Sequence, residues 1–274
     1  MSHRPRKAKS IRIRTKGPLH GRCNICGQIG PLTDDHTPPK SCLGVTAAEL
    51  HSLHDKLSSE GERWSAPRRF QAGVFYRSLC ERCNGLLGTK YDPALAEMVA
   101  QVRSIVGSSL TLPGMITLEI APGAVMRSIV GHLSAQGVER YGKGSVLTDA
   151  IRDYIYDETR PLPPTLRMYY WLYPFRLQVL VRDAALMKIS RDAVFAFWLM
   201  KFFPLAFFIT IDEPPGPIYR LQNFDAARHL GANDRQRVYL PIRPLINPGF
   251  PERPDEDGAI LYGQQAMVAE QQGS

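Results

Sequence analysis

The sequence predicts an α+β protein in which a small cysteine-bracketed module precedes a larger, mainly antiparallel α+β domain. Three observations carry that prediction. Cys23-x-x-Cys26 and Cys80-x-x-Cys83 are separated by 53 residues, 27–79, and each pair has the spacing of a metal-binding knuckle. Several segments repeat apolar residues at helical spacing. Beyond Pro161-Leu-Pro-Pro164 the chain turns to β-branched and aromatic runs broken by turn residues, the pattern of antiparallel strands.

In chain order, residues 1–19 read as a flexible basic arm. The formal net charge is +8, and residues 1–22 hold Arg4, Arg6, Lys7, Lys9, Arg12, Arg14, Lys16 and Arg22 with no Asp or Glu. The other 26 basic residues match the 26 acidic ones, so the body is neutral and the arm is cationic. Residues 20–107 form the cysteine-bracketed module. Within it Thr46–Ser58 has helical spacing through Leu50, Leu53 and Leu57, with His51 and His54 on that helix's edge, and Gly61–Gln71 reads as a loop. Asn84–Val106 reads as a long helix bent near Pro93. Residues 108–247 are the α+β domain. Met115–Ile120 alternates as a strand, and Gly123–Gln136 and Leu147–Glu158 are amphipathic helices, with His132 a core or boundary residue of the first. Strands follow at Leu166–Tyr173, Arg176–Val181, Val194–Phe202, Leu205–Ile211 and Arg237–Ile242, with Glu213-Pro-Pro-Gly-Pro217 as a turn-rich break. Residues 248–274 read as a loosely ordered tail.

Composition excludes several classes. With 44% hydrophobic and 22% charged residues the chain is not disordered as a whole. Ala193–Ile211 is apolar except for Lys201, Pro204 and Thr210. A lysine and a proline near its centre are costly in lipid, so buried strands are expected there rather than a membrane span. Five cysteines, four of them in tight pairs, do not suit a secreted disulfide scaffold. The expected location is cytoplasmic, with no membrane association.

Two C-x-x-C knuckles supply four thiolates, the donor set of structural Zn²⁺. Such an ion has no open position, so chemistry must come from what it positions. Between the knuckles lies Asp34-Asp35-His36-Thr-Pro-Pro-Lys40, and Asn84 directly follows the second. An imidazole titrating near neutrality suits a general base, and an adjacent carboxylate suits a hard divalent ion. In a strand, Asp35 and His36 face opposite sides unless a turn re-aims one. An ordinary Asx turn would also explain Asp-His before Pro-Pro, helix capping would explain Asn84, and Lys40 is either a phosphate contact or a solvated cation.

C-x-x-C, then Asp-His-x-Pro-Pro-Lys, then C-x-x-C-Asn before a helix resembles the HNH endonucleases, over roughly residues 20–95. The resemblance implies a zinc-bound ββα-metal (His-Me finger) fold, with His36 activating water for attack on a phosphodiester. It further implies that Asp35 and Asn84 ligate a catalytic Mg²⁺ or another divalent cation. This sequence departs from the family at Phe75-Tyr-Arg-Ser-Leu79, where an Asn that orients the base is expected. A backbone carbonyl or another side chain would then orient His36. Asp92 is a weaker substitute ligand, roughly 12 Å beyond Asn84 along a helix rising 1.5 Å per residue.

The function expected is therefore a metal-dependent endonuclease acting on nucleic acid, with DNA favoured. The arm residues and Lys40 would hold the phosphate backbone. The alternatives are a catalytically impaired zinc-dependent nucleic-acid-binding or regulatory protein, and a zinc attachment on a C-terminal interaction domain.

Overall fold

A computed structural model describes residues 11–43, 47–57, 65–108, 111–188, 192–212, 221–243, 249–253, 258–263 and 265–271. The chain opens with β1 (Ile11–Arg12), the hairpin of β2 (His20–Arg22) and β3 (Ile29–Pro31), β4 (Thr33–His36) and α1 (Lys40–Leu43). Then come β5 (Ala48–Ser52), α2 (Leu53–Leu57), β6 (Ser65–Ala66), β7 (Arg68–Phe70) and β8 (Phe75–Leu79). Helix α3 (Glu81–Leu86) passes through a π-helical turn, Leu87–Tyr91, into α4 (Asp92–Val106). The rest comprises β9 (Met115–Ile120), α5 (Pro122–Ala135), α6 (Val146–Tyr156), β10 (Leu166–Leu172), β11 (Gln178–Lys188), β12 (Ala193–Phe202) and β13 (Leu205–Ile211). After these come β14 (Gln222–Asn223), β15 (Gln236–Pro241), β16 (Gly258–Leu261) and β17 (Met267–Gln271).

The architecture is mixed α+β with mostly antiparallel pairing, and a nine-stranded sheet dominates it. Its path is β14-β10-β13-β12-β11-β17-β5-β7, with β16 also on β11. Both faces of its central strands are covered. Met168, Tyr170 and Leu172 point into one apolar cluster, while Tyr169, Trp171 and Tyr173 point into the other. Met200 and Phe202 likewise oppose Phe197 and Leu199. Burial on both faces makes such strands read as continuous apolar runs, which accounts for Ala193–Ile211. No helix among the described residues is long and apolar enough to cross a membrane. Lys201, fully buried on β12, meets Glu252 at 2.6 Å and the Phe250 carbonyl at 3.1 Å.

Helix α5 lies across the first cluster, and all fourteen of its residues are buried. Gly123 begins it against the backbone of Gly231, where a Cβ would overlap the carbonyl oxygen. A helix buried all round must satisfy its polar side chains internally. Arg127 does so by donating to the carbonyls of Gly123, Tyr154, Asp157 and Arg160, and Ser134 donates to Val130 at 2.7 Å.

The structure revises several expectations. Thr46–Ser58 is not one helix: β5 pairs with β17 on one side and β7 on the other before the short α2 begins, with Thr46 and Ser58 outside the described residues. Apolar residues at 50, 53 and 57 fit a helix locally, but Ala48 and Leu50 alternate inward as a strand, and tertiary pairing decides. The segment from 248 is not uniformly loose, because β17 sits between β11 and β5 with Met267–Ala269 buried. One apolar cluster of the described residues takes in positions on both sides of the expected 107/108 boundary, from Ile13 to Ala269. Where a bend was expected near Pro93, the structure has a π-helical stretch just before it, at Leu87–Tyr91. Glu213–Pro217 lies outside the described residues.

Candidate functional site

Cys23 and Cys26 occupy the turn joining β2 to β3. The Cys23 N–H donates to the Gln28 carbonyl at 2.9 Å and the Gly27 N–H to the Cys23 carbonyl at 3.0 Å. Gly27 takes φ +71° beneath the Tyr141 ring, a conformation and a contact that both exclude a side chain. Cys80 ends β8 and precedes α3, and the Asn84 N–H donates to its carbonyl at 3.0 Å. The ligand atoms of Cys23, Cys26, Cys80 and Cys83 lie within 4.8 Å of one another. Four sulfurs at this spacing fit a tetrahedral structural zinc. Among the described residues no other group of His, Cys, Asp or Glu is so arranged. Hydrogen bonding from Cys83 brings the Cys23 thiol down to about 5. The same bond pushes Cys83 up, and burial pushes Cys26 to about 11. The thiols thus share protons that a soft cation would displace. The Tyr156 hydroxyl, 3.1 Å from the Cys83 sulfur, braces the cluster from outside.

The knuckles clamp a β-β-α path. Strand β4 pairs antiparallel with β8, setting His36 opposite Phe75 and Asp34 opposite Arg77, and Cys80 then turns the chain into α3. One face of β4 shows Asp34 and His36. Arg77 grips Asp34 with two hydrogen bonds, 2.9 and 3.4 Å. His36 is half-buried, with the Phe75 ring centroid 5.5 Å away. Burial and the nearby Lys40 ammonium lower its pKa below the usual 6.5, against Asp35 and a hydrogen bond to the Ala72 backbone.

The opposite face of β4 is different. Asp35 is 1% exposed; one carboxylate oxygen accepts from Thr37 at 3.1 Å and meets His132 Nδ1 at 2.9 Å. His132 Nε2 meets Asp92 at 2.9 Å, and Ser128 donates to the same Asp92 oxygen at 2.7 Å. Burial opposes the charge on His132, but the two carboxylates outweigh it and hold its pKa well above 6.5. Asp92 is held below its usual range because His132 outweighs burial. The result is an imidazolium clamped between two carboxylates, linking β4, α4 and α5.

Asn84 donates to the Thr33 hydroxyl at 2.9 Å and the Asp34 carbonyl at 3.1 Å. It ties α3 to β4. The remaining Asp35 oxygen has no hydrogen-bond partner, yet a divalent ion of the Mg²⁺ kind keeps several waters, which a carboxylate this buried leaves no room to hold. Asp35 and Asn84 as arranged do not fit that ion. Asp92 meets Asp35 only through the His132 ring. His132 was legible as a core histidine, but its two partners lie 97 and 40 residues away and no local pattern announces them.

Part of the basic arm is built into the fold. The Arg77 N–H donates to the Thr15 carbonyl at 2.8 Å and the Gly17 N–H to the Arg77 carbonyl at 3.2 Å. This sets exposed Lys16 5.5 Å above the Phe75 ring. Arg12 lies in β1, and Arg14 faces Glu139 at 3.7 Å with both exposed. Arg4, Arg6, Lys7 and Lys9 lie outside the described residues. Lys40 therefore lies near His36, and Lys16 lies over the Phe75 ring that His36 also meets; among the described residues no other proposed backbone contact is placed there. His51 falls on strand β5 and His54 on α2, away from the cysteine cluster. Comparison with known proteins adds no relative: no family model, curated protein or solved structure matches the chain.

Proposed function

We propose that this protein is a phosphodiester hydrolase of the HNH endonuclease type acting on nucleic acid, DNA in preference to RNA, with His36 as general base. The observation that carries the reading is the setting of His36. It is a half-buried imidazole with its pKa lowered, set against the Phe75 ring, with the Lys40 ammonium nearby and Lys16 over the same ring. A neutral imidazole accepts a proton from water near pH 7, and paired cations attract a phosphate to the same face. The four-cysteine cluster is the scaffold: it fixes the turn out of β8 into α3, and Asn84 locks that helix to the strand carrying His36. Asp35 acts as an anchor, holding the base of β4 through His132.

One observation favours a second reading, a zinc-dependent nucleic-acid-binding protein that does not cut. The carboxylate beside the base is committed to His132 rather than open to an ion. Plasmid nicking by wild type, His36→Ala and Asp35→Asn separates the two, in Mg²⁺, Mn²⁺ and EDTA, with zinc content matched. Cleavage that disappears in His36→Ala is the expected result, and its loss in EDTA with zinc retained would place a divalent ion on residues other than Asp35 and Asn84. Equal nicking by wild type and His36→Ala would remove His36 from the chemistry. Salt-sensitive binding without cleavage by any of the three proteins would select the second reading.

A further inference from the structure

On the other side of the first knuckle, Asn24 and Ile25 border a cavity of about 210 Å³ that reaches down to Trp198 in the large sheet. Its charged lining residues are Arg140, Arg182 and Asp183. Arg182 is 7% exposed and donates to three backbone carbonyls, those of Ser134, Gln136 and Arg140. Carbonyls satisfy its hydrogen bonds but do not neutralise its charge. Its Nε has no hydrogen-bond partner, the nearest carboxylate oxygen, on Asp183, being 3.6 Å away.

That carboxylate is shared. Asp183 also pairs with Arg140 and accepts from the Trp198 indole at 2.8 Å. Two guanidinium groups thus face one carboxylate, which leaves a positive charge uncompensated at the cavity. Burial pushes Arg182 down to about 10, the direction expected of a cation short of counter-charge. The eleven-residue helix α6 begins at the same place, with Ser145 as its N-cap and Thr148 lining the cavity. Its positive end adds to the field.

We propose that this cavity binds a phosphate monoester. The Arg140 guanidinium, the unpartnered Arg182 Nε, the Ser145 and Thr148 hydroxyls and the N–H groups of the first turn of α6 that the Ser145 cap leaves open can match the three terminal oxygens of a phosphate. The apolar wall of Ile25, Leu147, Ile151 and Trp198 suits the organic stem of an ester and adds nothing for the inorganic ion. The cavity accommodates a phosphate and a short stem. The ester is therefore either a small phosphorylated metabolite or the terminal phosphate of a nucleic-acid strand. The site stands independently of His36, so it survives or fails apart from the nuclease reading.

Calorimetric titration and thermal shift test it, on the full chain with its zinc content verified. The probes are glycerol 3-phosphate, inorganic phosphate, and an oligothymidylate with either a 5′-phosphate or a 5′-hydroxyl. Glycerol 3-phosphate should bind wild type more tightly than inorganic phosphate does. Arg140→Gln should weaken that binding by at least about tenfold. Asp183→Asn, which tolerates the φ of +59° at this position and removes the competing carboxylate, should tighten it. Binding of only the 5′-phosphorylated strand, lost in Arg140→Gln, would assign the site to nucleic-acid ends. No binding of any probe to wild type, or equal affinities in wild type and Asp183→Asn, would overturn the proposal. The second variant decides the matter even if Arg140→Gln fails to fold.

Discussion

Strand β4 presents two faces with the same residue types and opposite electrostatics. On the outer face, Asp34 and His36 lie half in solvent; Arg77 holds the carboxylate and Lys40 lies near the imidazole. On the inner face, Asp35 and His132 are buried, and the imidazole sits between two acids. One histidine is biased toward its neutral form and the other toward its charged form. A base needs the first condition and a structural clamp the second. Two adjacent acids thus acquire different duties from the direction their side chains point, which the period of a strand fixes.

Both faces depend on the knuckles, so the largest effect is expected from the metal. A structural zinc contributes about 10 kcal/mol, comparable to the whole stability of a domain. Cys80→Ser or exhaustive chelation should abolish the cooperative melt followed by circular dichroism. An unchanged melt after zinc is shown to be absent would remove the metal from the fold.

The inner face comes next. His132→Ala leaves Asp35 and Asp92 buried without a cation, at a cost of about 3–5 kcal/mol in denaturant unfolding. The sign with pH follows from the shifts. The folded pKa of His132 is raised, so its stabilisation is complete below the unfolded value near 6.5 and declines as pH rises through the folded one. The folded pKa of Asp92 is lowered, so its contribution is present above its unfolded value and is lost on acidification. Wild type should therefore be more stable than His132→Ala by the widest margin between those limits. A margin that grows steadily toward high pH would show that the clamp is not an imidazolium.

On the outer face His36→Ala should change stability by less than about 0.5 kcal/mol while removing cleavage. The wild-type rate should fall on acidification with its midpoint below 6.5, because the folded pKa of His36 is lowered. An acid limb above 6.5 would point to a different base. The smallest effect belongs to Arg77→Ala, since a partly exposed ion pair contributes about 1 kcal/mol or less. A double-mutant cycle with Asp34→Ala measures that coupling, and a much larger value would mean that the outer face is structural as well.

The cysteine cluster was legible because its ligands come as two local pairs, and His36 because it sits at a fixed place between them. Strand β9 was legible because it alternates and β13 because it is a continuous apolar run, whereas α5, expected to be amphipathic, is buried all round. The clamp was not, since Asp35, Asp92 and His132 become neighbours only through the packing of three separate elements. Strand β5 was misread because Leu50, Leu53 and Leu57 satisfy a helical spacing that pairing with β17 overrides. Strand β17, Met267-Val-Ala-Glu-Gln271, lacks a clear alternation, since hydrogen bonds from both neighbours hold it.

The position of β17 has a consequence for how the protein comes into being on the ribosome. The knuckle ligands are all present once residue 83 has emerged, so the hairpin and its ion can assemble early. Strand β5, which begins twelve residues past His36, has no partner on its β11 side until residues 267–271 arrive. For most of synthesis the nascent chain would hold a finished metal turn next to an open strand edge, the kind of surface that mispairs with other chains. Closing that edge is a long-range event and therefore slow. The strand that completes the sheet thereby also ends the interval in which the candidate catalytic hairpin lies beside an unprotected edge.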